Sequence, residues 1–316
     1  MERPKVEKVD LTVLICTQDR PDSLRLTLQM LARNEFDLNR LDVVVIDNAV
    51  EPTARAIAES MSADLRVRYL HEPTPGKCHA LNRGLECDGL APIVAVLDDD
   101  MSPGPDWCEG ILDVCDRWPD AGVFAASSYV IWPENVEIPD WVRRRSVSCW
   151  ALSVVEYAHE RRTTPGELIS GNYFWFRRDT VGSRRFPDFW APEAHFILGL
   201  IDDGATGVVA PKPRCGHRIQ PGLLRLDVQR ERATKLGHHL AKFRLGFPNS
   251  VPQARMAADR PLLWQIRCLA NLTRWLLVAA TAPLRRSENR IATCLIARVG
   301  IANNLECLRW RKAGNP

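Results

Sequence analysis

The chain has 316 residues, of which 46% are hydrophobic and 26% charged, the balance of a soluble globular protein with one large or two small domains. Its net charge of +3 gives no reason to expect a nucleic-acid partner. The charged first nine residues lack the apolar core of a secretory signal. Ten cysteines scattered without a C-x-x-C pair argue against a zinc site or a disulfide scaffold and favour a reducing, cytoplasmic compartment.

Strands and helices are predicted to alternate along the first part of the chain. Short apolar runs predict buried strands at residues 11–16, 43–46, 66–70 and 93–97. Apolar residues at helical spacing predict helices at residues 21–33, 52–61 and 77–85, the first of them beginning at a proline. This alternation indicates βαβ units and a mostly parallel sheet flanked by helices.

Polar side chains follow three of these four strands. Thr17 and Arg20 come after the first strand, Asp47 and Asn48 after the second, and the aspartates at residues 98–100 after the fourth. Parallel strands point the same way, so these groups are expected to meet at one rim of the sheet, where open α/β sheets bind their ligands. A structural protein has no need of such convergence.

The three consecutive carboxylates at residues 98–100 form the centre of this rim. They repel one another, and a divalent cation compensates that repulsion best because hard cations take oxygen ligands. The alternative is a solvated acidic turn or helix N-terminus, but the converging polar groups favour a metal that in turn holds a phosphate. A nicotinamide or flavin cofactor is disfavoured, because no G-x-G-x-x-G follows the first strand.

These strand ends belong to longer motifs that continue into the second half of the chain. The motifs are residues 16–21 (CTQDRP), 45–48 (VIDN), 76–85 (GKCHALNRGL), 97–100 (LDDD), 171–178 (GNYFWFRR) and 204–211 followed by His217. In this order they resemble glycosyltransferase family 2 over roughly residues 9–235. The resemblance implies a GT-A-like (Rossmann-like) fold that binds a nucleotide-sugar and a reaction that inverts the anomeric centre.

The resemblance also implies roles for residues around the donor. Thr17 and Asn48 would contact the nucleobase and ribose side of a nucleoside-diphosphate-sugar, with Asp47 beside them. Lys77 would lie near the donor pocket, and Asn82 would help to fix its loop. Structural roles are the alternatives for two of these residues: Thr17 would only cap the following helix, and Lys77 would be a solvent-exposed residue at the start of a helix.

Residues nearer the diphosphate are implied in the same way. Arg20 would join the donor-binding residues, Asp98 would face the ribose, and Asp98, Asp100 and His217 would hold Mg²⁺ or Mn²⁺. Arg218 is a further candidate for contact with the pyrophosphate. A neutral imidazole is a suitable ligand beside carboxylates, although a lone histidine is more often structural or exposed. The metal would act as a Lewis acid on the charge that develops on the leaving nucleoside diphosphate.

An inverting displacement also needs a base, because the acceptor hydroxyl loses its proton as it attacks, and a carboxylate is the usual solution. The resemblance implies a Glu-Asp pair for this purpose, whereas this chain has Glu193 followed by Ala194. Glu193 is therefore the candidate catalytic base. His195 is the rival base, and a surface-loop glutamate without a catalytic role is the remaining alternative.

The last third of the chain is predicted to be a helical extension. We predict a catalytic domain at residues 1–245 and an extension at residues 246–316, made of a linker to residue 261 and of two apolar helical segments at residues 262–283 and 291–310. No transmembrane helix is expected, because the longest uncharged run spans about half of the roughly 20 residues that a span needs. Interspersed arginines and tryptophans suit peripheral contact with anionic lipid on the inner face of the cell membrane. Packing on the catalytic domain or on another subunit is the alternative.

The leading hypothesis is a metal-dependent inverting glycosyltransferase of the hexosyltransferase type. It would move a sugar from a nucleoside-diphosphate-sugar to a cell-surface glycan or lipid-linked acceptor, with uridine diphosphate the commonest nucleotide in the family. A nucleotidyltransferase of similar fold is the second hypothesis, although residues 17–23 lack its glycine- and lysine-rich signature. The third is a sugar-nucleotide- or glycan-binding protein that has lost its base, motivated by Ala194.

Overall fold

The structure, a computed structural model, describes residues 9–167, 169, 171–189, 191–247, 251–285 and 287–312. Its strands are β1 (Leu11–Thr17), β2 (Leu41–Asp47), β3 (Val67–His71), β4 (Ile93–Asp98), β5 (Met101–Pro103), β6 (Ala121–Ile131), β7 (Arg161–Arg162), β8 (Tyr173–Arg177) and β9 (Thr206–Arg218). Its helices are α1 (Pro21–Ala32), α2 (Arg55–Ser60), α3 (Lys77–Leu85), α4 (Trp107–Arg117), α5 (Asp140–Arg143), α6 (Arg145–Ala151), α7 (Arg178–Val181), α8 (Pro192–Asp202), α9 (Leu226–Gly246), α10 (Pro252–Asp259), α11 (Pro261–Thr281) and α12 (Ser287–Lys312).

The first half of the chain forms the parallel part of one sheet, in the order β3-β2-β1-β4. Every strand and helix predicted for this half is present, with ends that differ by at most three residues. Pro21 begins α1, because a proline in the first turn gives up an N–H that would have no partner within the helix. The predicted βαβ arrangement is confirmed.

Both faces of this sheet are buried, which explains the continuous apolar runs of its strands. Leu11, Val13 and Ile15 of β1 pack with Leu28 of α1 in one apolar core. Leu14 packs in a second core on the opposite face, because successive side chains of a strand point to opposite sides. The two cores hold the ends of the parallel strands in a fixed arrangement.

Beyond β4 the sheet continues through β8, β6, β9 and β5 with mixed strand directions. β8 is antiparallel to β4 and β6, and β9 is parallel to β6. The short β5 begins directly after the acidic run and is antiparallel to β9, with Met101 opposite His217. This pairing brings a histidine from the second half of the chain next to the acidic run.

The chain divides into two compact units. The first comprises residues 1–131, 155–163 and 168–218 and contains the sheet, and the second comprises residues 132–154, 164–167 and 219–316. This division differs from the boundary predicted after residue 245, because α9 packs against α12 and its Ala241 shares an apolar core with Trp264 and Cys268 of α11. The predicted linker also differs, since it contains α10.

One segment of α12 has the length and composition of a membrane span. Within the described residues it is Asn289–Arg309, 21 residues with a mean hydropathy of 1.3, and 44% of its apolar window is buried inside the fold. This finding differs from the expectation drawn from uncharged runs, because an apolar window of this length tolerates isolated charges. The segment packs against α9 and α11, as a core helix does.

Candidate active site

The carboxyl ends of β1, β2 and β4 meet at one rim, as predicted. The register of the parallel pairs sets Thr17 opposite Asp47 and Cys16 opposite Asp98. A cavity opens at this rim, and its lining residues are Cys16, Thr17, Gln18, Arg20, Asn48, Lys77 and Asp98. Five of these seven were predicted to bind the donor. Cys16 and Gln18 were not, because an apolar strand residue and a loop glutamine carry no distinctive signal.

Asp99, for which the sequence suggested no role, organises the acidic run. Its carboxylate is fully buried, accepts a hydrogen bond from Thr17 Oγ1 at 2.6 Å and pairs with Arg20 at 2.5 Å. Arg20 also pairs with Asp100 at 3.0 Å, so one guanidinium spans two carboxylates. Repulsion within the run is therefore offset in part by the chain's own arginine.

Lys77 bridges the acidic run and the candidate base. Its ammonium group contacts both Asp98 Oδ1 and Glu193 Oε1. Although burial opposes the charged form, the two carboxylates hold the pKa of Lys77 well above its usual value. Lys77 is thus engaged in ion pairs at the edge of the cavity and does not extend into solvent as a helix start would.

The three aspartates differ in how strongly they hold a proton. Burial raises the pKa of Asp98 to about 7 and that of Asp99 to about 6, against the opposing effect of the cations that face them. Burial also disfavours the charged form of Asp100, but His217 and Arg20 hold its pKa at about 2. Asp100 is therefore the most persistently anionic member of the run, which suits it best to bind a cation.

Asp100 and His217 form the part of the site that fits a divalent cation. Asp100 Oδ1 is buried and lies 3.5 Å from His217 Nε2. Asn172 Nδ2 lies 3.3 Å from His217 Nδ1. Binding of a cation at Nε2 would require the ring proton on Nδ1 and the Asn172 amide turned so that its oxygen accepts that proton.

This pair supplies two ligands and not a complete coordination shell. Across the part of the chain that the structure describes, no group of three or more His, Cys, Asp or Glu side chains is arranged to hold a metal. Mg²⁺ commonly takes one or two protein ligands and completes its shell with substrate phosphates and water, so a carboxylate and an imidazole fit that manner of binding. Asp98, the third predicted ligand, faces Lys77 instead.

The backbone around Glu193 fixes this side chain in place. Glu193 lies in the first turn of α8, where the helix dipole favours a carboxylate, and it is 5% exposed. Ala191 precedes Pro192 in the left-handed conformation with φ 57°, which costs a non-glycine residue roughly 1–2 kcal/mol. A Cβ added at Gly171 would lie 3.1 Å from Glu193 Cβ, so the glycine of the 171–178 motif makes room for this glutamate.

His195, the rival base, is placed differently. Its ring stacks on Phe189 with centroids 4.5 Å apart, and its side chain is buried. Glu193, in contrast, contacts Lys77, which lines the cavity. The geometry therefore favours Glu193 over His195 as the side chain that acts at the rim.

Asn48 shapes the wall of the cavity beside β2. Its amide donates to the carbonyl oxygens of Glu72 and Thr74, both at 2.8 Å, and accepts from the N–H of Gly76 at 3.0 Å. These bonds hold the turn between β3 and α3 against the end of β2. Asn48 thus lines the cavity and also sets the start of α3.

Asp47 serves the fold and not the cavity. Its fully buried carboxylate accepts hydrogen bonds from the backbone N–H groups of Thr53 and Ala54, both at 2.8 Å, and from the Tyr69 hydroxyl at 3.0 Å. It is not among the residues that line the cavity. The place predicted for it beside the nucleobase differs from this arrangement, because these donors hold its carboxylate in the loop before α2.

Asn82 and Arg218 are likewise engaged with backbone groups. Asn82 exchanges two hydrogen bonds with the backbone of Phe186, at 2.9 and 2.8 Å. The Arg218 guanidinium donates to the carbonyl oxygens of Asp99 at 3.0 Å and Met101 at 2.6 Å. In this structure Asn82 holds the segment before α8 and Arg218 braces the acidic run, so both act on the site through the fold.

Replacing Asp47 by alanine is expected to lower the free energy of unfolding by about 2–4 kcal/mol, because the buried N–H of Ala54 and the partly buried N–H of Thr53 lose their acceptor. Urea denaturation followed by circular dichroism measures the change. Asp64→Ala, at an exposed position, is the matched control and is expected to change stability by less than about 0.5 kcal/mol. Equal effects of the two substitutions would contradict this role for Asp47.

The sheet order and the acidic rim match the GT-A fold, and solved structures with that fold superpose on nearly the whole chain. The mannosyltransferase PcManGT from Pyrobaculum calidifontis, in complex with GDP-Man and Mn²⁺, matches 96% of this chain and 88% of its own, with a TM-score of 0.58 and 20% identity. S. aureus TarS 1-349 in complex with UDP-GlcNAc matches 96% and 92%, with a TM-score of 0.53 and 13% identity. At these identities the likeness shows the fold alone.

The chain belongs to glycosyltransferase family 2. The family model "Glycosyl transferase family 2" matches residues 12–181. The succinoglycan biosynthesis protein ExoM of Rhizobium meliloti (strain 1021) is 30% identical over 95% of this chain and 94% of its own length. The chain spans about half the length of other curated relatives that it matches, 53% and 54% in two cases. The predicted family is thereby confirmed.

Proposed function

We propose that this protein is an inverting glycosyltransferase that moves a sugar from a nucleoside-diphosphate-sugar, in the first instance a UDP-sugar, to a hydroxyl group of a cell-surface glycan or lipid-linked acceptor. The observation that carries the proposal is one rim that combines a cavity, a carboxylate–imidazole pair and a buried glutamate held by a lysine. Membership of the family supports transfer of a sugar. The name of ExoM, a succinoglycan biosynthesis protein, supports a polysaccharide as the acceptor.

The donor would occupy the cavity at the ends of β1, β2 and β4. Thr17 and Asn48 line its β1–β2 side and offer a hydroxyl oxygen and an amide oxygen as acceptors to the nucleoside. Because Asp99 holds Thr17 and the 72–76 turn holds Asn48, both groups are oriented before the ligand arrives. The nucleotide-sugars present in the TarS and PcManGT complexes support a donor of this class.

The diphosphate would lie against the cationic side of the rim. Asp100 and His217 would hold Mg²⁺ or Mn²⁺, which supplies a Lewis acid beside the leaving diphosphate when bound. Arg20 and Lys77 both line the cavity and add positive charge. Positive groups lower the activation barrier most effectively when they are already held where negative charge develops on the leaving diphosphate. Arg20 is held in this way by its two carboxylate partners.

Glu193 would accept the proton of the attacking hydroxyl. A general base must lie within hydrogen-bond reach of that proton, and the contact with Lys77 holds this carboxylate at the edge of the cavity. Lys77 is shared between Asp98 on the donor side and Glu193. Phosphates that attract Lys77 would therefore release Glu193 toward the acceptor, which would couple donor binding to the readiness of the base.

Neither alternative function has a specific observation in its favour. The hypothesis of a lost base depended on Ala194, whereas the contact between Glu193 and Lys77 supports a retained one. A nucleotidyltransferase would need a phosphate-binding glycine-rich loop after β1, and the residues there are Gln18, Asp19 and Arg20. Sugar transfer is therefore the function that the site supports best.

The proposal is tested by the release of nucleoside diphosphate from a panel of UDP- and GDP-sugars with Mn²⁺ or Mg²⁺ and saccharide acceptors. We expect release that depends on both metal and acceptor, with a product whose anomeric configuration, determined by NMR, is opposite to that of the donor. In a parallel assay with nucleoside triphosphates and sugar 1-phosphates, release of pyrophosphate would identify a nucleotidyltransferase. Binding of nucleotide-sugars without turnover across a broad acceptor set would favour a binding protein and overturn the proposal.

A further inference from the structure

One face of α11 exposes apolar side chains along its whole length. The six large ones are between 48% and 70% exposed. They are Leu262, Leu263, Ile266, Leu269, Leu276 and Leu277. At 100° per residue these positions fall on a single stripe of the helix, and from residue 262 to residue 277 that stripe is about 22 Å long. Exposed apolar patches of this extent mark contact surfaces in soluble domains.

The opposite face of α11 is committed to its own unit. Trp264 and Cys268 are buried and pack with Ala241 of α9 and Cys307 of α12. The helix is therefore held in place by one side while the leucine-rich side stays in contact with solvent. The exposed stripe does not contribute to the apolar core of this unit, so its apolar side chains need a separate explanation.

Within residues 260–285 the charges beside the stripe have one sign. Arg267 and Arg274 lie seven residues apart, which places them on one flank of the helix, while Arg260 directly precedes its first turn and Arg285 follows its end. All four are exposed. Residues 260–285 contain no aspartate or glutamate. A leucine-rich face bordered by arginines is complementary to a partner surface with an apolar interior and an anionic outer layer.

We infer that this face of α11 docks on the surface of an anionic lipid bilayer. The leucine and isoleucine side chains enter the boundary between headgroups and acyl chains, and the arginine flank binds the phosphates of the headgroups. The anionic lipids of the cytoplasmic leaflet carry the charge that this flank complements. The inference concerns binding alone, so it holds or fails separately from the proposed sugar transfer.

Two other arrangements agree less well with the same residues. A second copy packed face to face would bring two arginine flanks together, and residues 260–285 offer no carboxylate to pair with them. Insertion of α11 across the membrane would require an apolar window of spanning length. Among the described helices that window lies in α12. A helix that lies in the membrane–water interface accounts for both the apolar stripe and the arginines beside it.

The experiment is flotation of the full-length protein with vesicles made of equal parts of phosphatidylcholine and phosphatidylglycerol, and with vesicles of phosphatidylcholine alone. The wild-type protein is expected to float with the anionic vesicles, less with neutral ones, and less at high salt, which screens exposed charges. The double variant Ile266→Asp/Leu269→Asp is expected to bind roughly tenfold more weakly or worse, because both changes put charge on the inserted face.

A second double variant, Arg267→Gln/Arg274→Gln, keeps the inference testable even where the aspartate variant folds poorly. It is expected to bind anionic vesicles roughly tenfold more weakly while retaining any weak binding to neutral ones. Leu26→Asp on α1, a leucine that is also 48% exposed, is the matched control and should float like the wild type. Circular dichroism verifies the fold of each variant.

Two outcomes would overturn the inference. One is flotation of both double variants to the same extent as the wild type. The other is a wild-type protein that does not float but is dimeric by light scattering, and that becomes monomeric on Ile266→Asp/Leu269→Asp. The second result would assign the face to another copy of the chain.

Discussion

The Asp100→Ala variant is expected to lose roughly 10²–10³-fold in kcat/KM for sugar transfer, the range found when one preorganised electrostatic contact is removed. Asp100 lies 3.5 Å from His217, and of the acidic run it is the aspartate that stays most fully charged. Burial opposes that charge, but His217 and Arg20 hold its pKa at about 2. Release of nucleoside diphosphate at saturating Mn²⁺ measures the loss.

A purely structural role for Asp100 predicts a different pattern. Asp100→Asn can still accept a hydrogen bond from Arg20 but has lost the charge, so metal binding predicts a higher Mn²⁺ concentration for half-maximal rate with little change in unfolding free energy. Asp179→Ala, whose side chain is 96% exposed, is the matched control and should behave as the wild type. An unchanged Mn²⁺ dependence in Asp100→Asn would remove the assignment of Asp100 as a ligand.

The part of the fold that carries the site was predictable because burial constrains sequence directly. Strand β1 is covered on both faces, so residues 11–16 form an unbroken apolar run. The convergence of Thr17, Asn48 and the acidic run followed from strand direction alone, since parallel strands end at the same edge. Helix α3 was also predicted with its correct ends, because its apolar residues keep helical spacing.

The partners of individual side chains were not predictable, because they depend on register and loop geometry. Asp47 and Asn48 are neighbours in sequence, yet backbone N–H groups enclose Asp47 while Asn48 lines the cavity. Asp99 offered no signal, since its hydrogen-bond partner Thr17 lies 82 residues away. A run of three aspartates shows that charge must be compensated, but the sequence does not show which of them receives an arginine and which is left for a metal.

In the second unit, too, the sequence predicted the helices but not the contacts between them. Composition predicted helices near residues 262–283 and 291–310, and α11 and α12 are there. It did not reveal that α9 belongs with them, because the contact of Ala241 with Trp264 and Cys307 is made between segments far apart in the chain. Prolines and polar residues suggested a linker where the short helix α10 forms.

Glu193→Gln is expected to lower kcat by roughly 10²–10⁴-fold, the usual contribution of a general base, while the affinity for nucleoside diphosphate stays nearly constant. Glutamine has the same size and can still accept a hydrogen bond from Lys77, but it has no basic oxygen to take the proton of the acceptor. Steady-state kinetics give kcat, and titration calorimetry with nucleoside diphosphate and Mn²⁺ gives the Kd. A variant with undiminished transfer would eliminate Glu193 as the base.

The same measurements on His195→Gln separate the two candidate bases. His195 packs on Phe189, so its replacement is expected to change stability more than kcat, whereas a catalytic histidine would show the reverse. Gly171→Ala adds a further comparison, because the new Cβ would lie 3.1 Å from Glu193 Cβ and displace a chemically intact carboxylate. If kcat falls in Glu193→Gln and in Gly171→Ala but not in His195→Gln, the required feature is a carboxylate held at this position beside Lys77, and the acceptor must approach from that side of the cavity.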